Sequence, residues 1–491
     1  MRARMSAQRG SRRTSAAGKG SDREIAFVFE GRRLRARAGE SVAAALLANG
    51  VRVFGRSSKY HRARGYRCGR GHCSCCAMRV DGLPGVRTCV TTVRPGMTVE
   101  REHAWPSADH DLLRVTEAFS PLLPPGFYYR WWRRSPRLFA VFERLLAHAA
   151  GQGRLPSPHA VGRLAAARCE RREQVDVLVV GAGVAGMSAA LAAGDAGAHV
   201  LLVEQDDRLG GRLADDTRLF AGLAAIAGGD EPTGPAVAAG MAAAVLAHER
   251  IEVLLDAEAV GWYEDDTIAV DRHSDLLVVN PAAVVLATGA YDLGLPFPNC
   301  DLPGVVLASG AQRLVNRYGV RPGSRAVFVT RDDFAYAVAM QFTAAGIDVV
   351  CVADRRRRDE IDERLIGELA TRGVPAVTGV ERVRADGLGR VSSFSLQVAG
   401  DQGRVNRRYD CDVVCVSAGL SPADELAYQA LSEGALVLSA PGLAERDEAG
   451  RVGSGARRGP WLAGLVAGAD SPVIAIGQGK AAGLAAARSR R

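Results

Sequence analysis

The stretch from Gln174 to Leu213, "QVDVLVVGAGVAGMSAALAAGDAGAHVLLVEQDDRLGGRL", decides how this chain folds. It opens with an apolar run of strand length that breaks at Gly181. Small residues follow over a helix's length, and a second apolar run ends at Glu204. Strand, glycine turn, helix, strand is the unit of a doubly wound α/β fold. Gly181, Gly183 and Gly186 stand as G-x-G-x-x-G, with Val184 and Ala185 inside the motif. The first glycine makes the turn, the second leaves room for a pyrophosphate, and the third lets helix pack on strand. The helix start offers N–H groups and a positive dipole end to the phosphates. Glu204, followed by Gln205, is placed to accept hydrogen bonds from the adenosine ribose.

Which dinucleotide is expected follows from what comes after. Gly210, Gly211 and Arg212 form "GGR" close behind the ribose acid, a pattern that favours FAD over NAD. Two later segments agree. "PAAVVLATGAYD" supplies an apolar strand ending at Ala287, Thr288 and Gly289, where backbone passes close to a dinucleotide. "PWLAGLVAGADSPVIAIGQGKAAGLAAA" ends a strand near Gly468 and Asp470 and opens a helix, an arrangement suited to the flavin's ribityl or pyrophosphate region. Between them, "SRAVFVTRDDFAYAVAMQFTAAGIDVVCVADRRRRDE" repeats strand, turn, helix, strand without glycines in the turn. This second fold either binds a nucleotide differently or serves as scaffold. Arg355–Arg358 could contact a phosphate, but "DEIDE" follows them and favours a solvated, self-paired helix face.

Upstream lies a second chemistry. "YRCGRGHCSCCAMRVDGLPGVRTC" places Cys68, Cys73 and Cys76 as C-x4-C-x2-C, with Cys89 after twelve further residues. That is plant-type [2Fe–2S] spacing: three thiolates on a tight loop and a fourth from a following strand. Gly69 and Gly71 let backbone wrap closely, with N–H groups toward sulfur. Zinc wants paired knuckles, and only one C-x2-C stands here. Cys75 is the spare thiol and is expected to point away. Cys169, Cys300, Cys351, Cys411 and Cys415 are scattered in apolar strands and read as buried thiols of a reducing cytoplasm. His61, Tyr66 and His72 lie near the loop, where a cofactor contact is open to them, and read first as surface residues.

The chain has 491 residues, 47% hydrophobic and 24% charged, enough for several domains of α/β class. Its net charge of +9 is concentrated in the opening 23 residues, which carry seven Lys or Arg against one Asp. A basic, Ser/Gly-rich tail without apolar period excludes a patterned nucleic-acid face, and it lacks the apolar core of a secretory signal. No apolar run is long enough for a transmembrane segment. The expected layout is a disordered tail at 1–22 and a β-grasp [2Fe–2S] ferredoxin-like domain at 23–104. A helical linker follows at 105–173. A discontinuous FAD-binding Rossmann-like domain takes 174–314 and 420–491, with an inserted NAD(P)-binding-like domain at 315–419.

An iron–sulfur unit ahead of a flavoprotein fold resembles the alpha subunit of heterotetrameric sarcosine oxidase. It also resembles the alpha chains of opine oxidase, D-hydroxyproline (proline) dehydrogenase and hydrogen cyanide synthase. The likeness is carried by "GRSSKYHRARGYRCGRGHC", "GLPGVRTCVTTVRPGMTVE", "PPGFYYRWWRRSPRLF", "LPGVVLASGAQRLVNRYGV" and "VSAGLSPADELAYQ". Sarcosine oxidase alpha chains run on into a folate-binding domain where this sequence stops at Arg491, so a dehydrogenase-type relative is the better match. The resemblance implies an oxidoreductase acting on CH–NH donors as one subunit of a heteromeric complex, with no catalytic side chain of its own. A flavin-containing, amino-acid-oxidase-like beta subunit would take the substrate's hydride, with FMN between the subunits in some members and small additional subunits in others. The alpha chain would pass electrons through [2Fe–2S] to a quinone, ferredoxin or other carrier. Two alternatives stand beside it: a self-contained NAD(P)H-dependent flavoprotein reductase, and a scaffold subunit holding a structural NAD or ATP.

Overall fold

Each compact unit of the computed structural model is built from two separated stretches, 1–161 with 292–419 and 162–291 with 420–491. The structure describes residues 13, 23–119, 135–150, 155–156, 158–167, 169–228, 230–272, 275–400, 403–430, 438–439, 443–444, 447, 450–452 and 459–489. The basic tail at 1–22, apart from residue 13, therefore lies outside the described residues.

In the unit formed by 162–291 and 420–491, the strands Cys169–Val180, Val200–Val203 and Ile251–Leu254 lie parallel. Asp275–Leu286 runs parallel on the other side of Cys169–Val180 and pairs in turn with Trp461–Leu462. The strands Ile268–Arg272 and Glu258–Trp262 complete a seven-stranded sheet. The four central apolar runs are buried on both faces, as a parallel sheet requires. The helix Val184–Asp195 covers one face and packs against Pro472–Ser489 at very short range. A Cβ at Gly479 would stand 2.1 Å from the Ala185 carbonyl oxygen, and one at Gly483 would stand 2.1 Å from that of Ala189. Those glycines let two backbones touch directly. The Ser188 hydroxyl then donates to the Ile476 carbonyl at 2.8 Å.

In the other unit, a five-stranded sheet has the order Arg32–Arg37, Glu24–Phe29, Thr98–Glu100, Ala77–Val80, Leu83–Arg87. The edge pairs are antiparallel and the Glu24–Phe29/Thr98–Glu100 pair is parallel, the β-grasp arrangement. Its helix, Val42–Ala48, starts at Ser41, whose hydroxyl accepts the Ala44 N–H, and six of its seven residues are buried. The same unit holds a parallel sheet ordered Val305–Leu307, Val413–Ser417, Arg325–Thr330, Asp348–Asp354, Ala376–Val377. A three-stranded antiparallel sheet accompanies it.

Two expectations change here. Val305–Leu307 pairs with Val413–Ser417, so residues 292–314 join the inserted fold and not the FAD-binding part. The cause is local: three apolar residues, Val305–Leu307, find their ladder on the inserted sheet, and the helix Ala308–Asn316 follows. Gly468 closes a 3-10 turn, Gly464–Ala467, in the left-handed conformation, where a strand end was expected. No helix among the described residues is long and apolar enough to cross a membrane.

Candidate functional site

The cysteine loop is drawn tight by left-handed backbone at Gly69 and Gly71. Cys68, Cys76 and Cys89 are buried and Cys73 is half-buried. Cys68 contacts Cys73, Cys76 contacts Cys89, and Cys68 also meets Cys89. Shared protons hold the Cys68 and Cys76 thiols below their ordinary value and push Cys73 and Cys89 above it. The Gly71 N–H donates to Cys89 Sγ at 3.2 Å, and the Thr88 hydroxyl donates to the Cys76 carbonyl at 2.7 Å. Among the described residues, no three His, Cys, Asp or Glu side chains converge as a single-ion site needs. Four thiols in one chain of contacts, Cys73–Cys68–Cys89–Cys76, suit a two-iron centre held by four protein sulfurs. The four side chains fit that group.

Cys75 departs from expectation. Its thiol touches that of Cys73 and is held down chiefly by that contact, with the Arg67 and Arg64 charges adding to it. It sits at the rim of the set. His61 is fully buried against Asp111, ring Nδ1 to carboxylate at 2.8 Å, and Tyr66 is buried too, so neither is the surface residue expected. Only His72 is exposed. Cys169 is exposed and Cys300 half-buried, whereas Cys351, Cys411 and Cys415 are buried as expected.

The loop is seated on the inserted fold, within the same unit. Arg67 donates to the Cys300 carbonyl at 2.6 Å, and its own carbonyl accepts the Leu307 N–H at 3.0 Å. Arg62 and Arg64 both pair with Asp301, at 2.9 and 2.7 Å, and Arg52 pairs with Asp412 at 3.1 Å. The Tyr66 hydroxyl donates to the Gly310 carbonyl at 3.0 Å. None of this docking was read from the sequence; the run of arginines Arg62, Arg64 and Arg67 before the first cysteine was the available signal.

In the first nucleotide fold, Gly181 turns in the left-handed region, and a Cβ there would lie 2.4 Å from the Ala287 carbonyl oxygen. A Cβ at Gly186 would lie 1.8 Å from the Gly181 carbonyl oxygen. Gly183 differs: nothing lies within 4 Å of its missing Cβ, and its φ is −67°. The fold itself does not require glycine there, so the space it leaves is room for a ligand. No side chain caps the helix start at Gly183. Glu204 is buried, accepting the Ala182 N–H at 2.7 Å and the Asp206 N–H at 2.9 Å. Gly210 bridges to Gly183 and Gly211 packs on its Cα. Gly210–Arg212 thus lies beside Val184, Ala185 and the glycine turn. Thr288 donates to the Ala423 carbonyl, while the Gly289 carbonyl accepts the Ala423 N–H at 3.1 Å. Asp470 and Gln205 are exposed. The glycine turn, uncapped helix and buried acid fit a dinucleotide.

The inserted fold is different at the equivalent place. Asp332 follows the strand Arg325–Thr330, and its carboxylate accepts the Gly419 N–H at 2.7 Å, the Phe334 N–H at 3.1 Å and the Ser417 hydroxyl at 2.7 and 2.8 Å. Those donors, at the strand ends and the start of the helix Phe334–Ala344, are what a phosphate would use. Asp354, ending the next strand, is fully buried and bonded to the Tyr336 hydroxyl at 3.0 Å and to Arg356. Both dinucleotide-recognition positions are filled from within. Arg356 pairs with Asp354 and Asp333, Arg357 with Asp359, and Arg358 with Glu363, the self-paired surface expected.

Comparison with known proteins adds the following. Residues 22–104 match the family described as 2Fe-2S iron-sulfur cluster binding domain, and residues 175–453 that described as pyridine nucleotide-disulphide oxidoreductase. The alpha subunit of sarcosine oxidase from Rhizobium meliloti (strain 1021) is 31% identical over 406 residues, covering 77% of this chain and 39% of its own. Hydrogen cyanide synthase subunit HcnA from Pseudomonas aeruginosa is 42% identical over 79 residues, 16% of this chain and 75% of its own. L-proline dehydrogenase from P. horikoshii superposes with a TM-score of 0.64 at 21% identity, over 96% of this chain and 75% of that one, a shared fold. The chain spans about two fifths of the length of the sarcosine oxidase alpha subunits it matches.

Proposed function

This chain belongs to the pyridine nucleotide-disulphide oxidoreductase family, and from that premise we propose that it is the electron-transfer alpha subunit of a heteromeric, FAD-dependent dehydrogenase or oxidase. Its substrates are amines or imino acids of the sarcosine, opine or hydroxyproline kind. The observation that carries this reading is the gathering of four thiols in one chain of contacts, Cys73–Cys68–Cys89–Cys76, where the cysteine loop and the following strand's end meet against the inserted fold. Cys68, Cys73, Cys76 and Cys89 would hold [2Fe–2S], and the Gly181–Gly186 turn with Glu204 would hold FAD. When bound, a flavin and a cluster convert two-electron chemistry into one-electron steps. The chain's own residues bind and orient the two groups, and the substrate's hydride goes to the flavin of a separate beta subunit. The named relatives are subunits, which supports that division. The site of action is the cytoplasm, where thiolates persist. FMN at the subunit interface and a quinone, ferredoxin or similar acceptor complete the proposal.

The dithiol chemistry in the family's name does not fit Cys351, Cys411 and Cys415, which are buried in the inserted fold. Burial pushes the Cys351 and Cys411 thiols up to about 12 and Cys415 higher still. Thiols held protonated at neutral pH are neither nucleophiles nor ready redox partners.

The isolated chain is expected to show flavin and cluster absorption together and to turn over neither sarcosine nor proline until a beta chain is added. Turnover by this chain alone ends the proposed division of labour. A second measurement addresses a self-contained reductase. With Asp332 occupying the phosphate donors, NADH and NADPH are expected to leave the isolated chain's visible spectrum unchanged under anaerobic conditions. Rapid bleaching by either would replace the present reading.

A further inference from the structure

The strand Leu83–Arg87 runs out through Thr88 into Cys89, and all three residues at that end are tied across to the cysteine loop. The Arg87 guanidinium donates to the Gly71 carbonyl at 3.1 Å, and the Thr88 hydroxyl donates to the Cys76 carbonyl at 2.7 Å. Cys89 Sγ in turn accepts the Gly71 N–H at 3.2 Å. Gly71 is thus held at both of its backbone groups by residues close together on one segment. It is buried and left-handed, with φ of 84°, a backbone with no Cβ to confine it. The other end of the tie is fixed. Arg87 pairs with Ala77 in the sheet, and its carbonyl accepts the Val90 N–H at 3.2 Å and the Thr91 hydroxyl at 3.0 Å.

A hydrogen bond to a ligand sulfur counts for most when that sulfur is most negative. Uptake of one electron from reduced flavin turns one ferric iron ferrous and adds one negative charge, with no bond made or broken. The Gly71 N–H on Cys89 Sγ therefore stabilises the reduced state more than the oxidised one, which raises the potential. Such a bond weakens steeply as its angle closes, so what aims the N–H matters. In a residue as free as glycine, the bond at the carbonyl is the one that aims it. Groups just outside the ligands of a metal site orient and tune it in this way.

We infer that Arg87 is a positioning residue: by holding the Gly71 carbonyl it aims the Gly71 N–H at Cys89 Sγ, and so raises the reduction potential of the cluster. This rests on the cluster assignment proposed above. The agent is the hydrogen bond to Gly71, so a side chain that donates to the same carbonyl serves in place of Arg87.

The test takes two readouts on the full chain, with iron and sulfide assayed alongside. One is a dye-mediated potential titration followed by the EPR signal of the reduced cluster; the other is hydrogen exchange at the Gly71 amide, read by mass spectrometry. In Arg87→Met the midpoint is expected to fall by a roughly threefold change in the electron equilibrium, about 28 mV for one electron. Its Gly71 amide is expected to exchange about tenfold faster. Arg87→Gln is too short to reach the carbonyl and is expected to follow. Arg87→Lys keeps a donor of similar reach, and one N–H suffices for this bond, so it is expected to stay near the parent in both readouts. An unmoved midpoint in Arg87→Met at full iron content overturns the inference. A midpoint that falls while Gly71 exchanges as in the parent overturns it too, because charge would then be the agent. So does an equal fall in Arg87→Lys, or loss of iron from both neutral variants, where the residue would build the site instead of tuning it. A parent chain without iron or EPR signal fails the cluster assignment itself, and the two failures are thus told apart.

Discussion

Serine at position 68, 73, 76 or 89 is expected to lower bound iron at least tenfold from about two atoms per chain, and to abolish the reduced-cluster EPR signal. A serine hydroxyl keeps its proton at neutral pH, whereas a cysteine thiol, with an ordinary value of about 8.5, is readily ionised by a metal. Each iron depends on two protein sulfurs, so one substitution removes half of its anchorage. The structure supplies the control. Cys75 sits at the rim, in contact with Cys73 alone among the four, so Cys75→Ser is expected to retain full iron. Iron and sulfide assays on the five single variants check this directly. Full iron in any of the first four, or its loss only in Cys75→Ser, would reassign the ligands.

The second large effect separates two glycines of one motif. Gly186→Ala forces a methyl to within 1.8 Å of the Gly181 carbonyl, and backbone cannot yield as a side-chain tip would. Overpacking of this kind costs about 1–3 kcal/mol or more, so the melting temperature should drop along with flavin content. Gly183→Ala meets nothing within 4 Å and requires no unusual backbone angle. Freed of flavin it should melt with the flavin-free parent, yet it should bind flavin at least tenfold more weakly, because its methyl occupies the space kept for pyrophosphate. Thermal unfolding and released-flavin fluorescence on both variants measure the split. A Gly183→Ala that melts well below the parent with normal flavin would mean that this turn serves packing only.

What could be read from the chain depended on how far apart the interacting residues lie. The first nucleotide fold was legible because strand, glycine spacing and Glu204 fall within one local stretch. The cysteine loop was legible for the same reason: its ligand spacing is itself the signal. Asp332 was not, because what gives it meaning is Ser417 and the Gly419 N–H, 85 and 87 residues away. The missing glycines in that turn were noticed, but a glycine-poor turn is equally compatible with altered binding and with none. His61 read as a surface residue, and Asp111, fifty residues on, is what buries it. The seat of the cysteine loop was hidden most thoroughly, since Tyr66 and Gly310 are separated by 244 residues. Val305–Leu307 misled for another reason. Three apolar residues fit either of two parallel sheets, and only the ladder to Val413–Ser417 decides between them.

The arginine straps and the Tyr66–Gly310 bond have a consequence for concentration. In HcnA, a stretch resembling this domain makes up most of a separate polypeptide. Here domain and seat are covalently one molecule, so their meeting is unimolecular, and tethering of that kind commonly corresponds to millimolar local concentration. Hundredfold dilution would unseat a weakly held free subunit but leaves the seated fraction of this chain untouched, so the docking of the cysteine loop is insensitive to expression level.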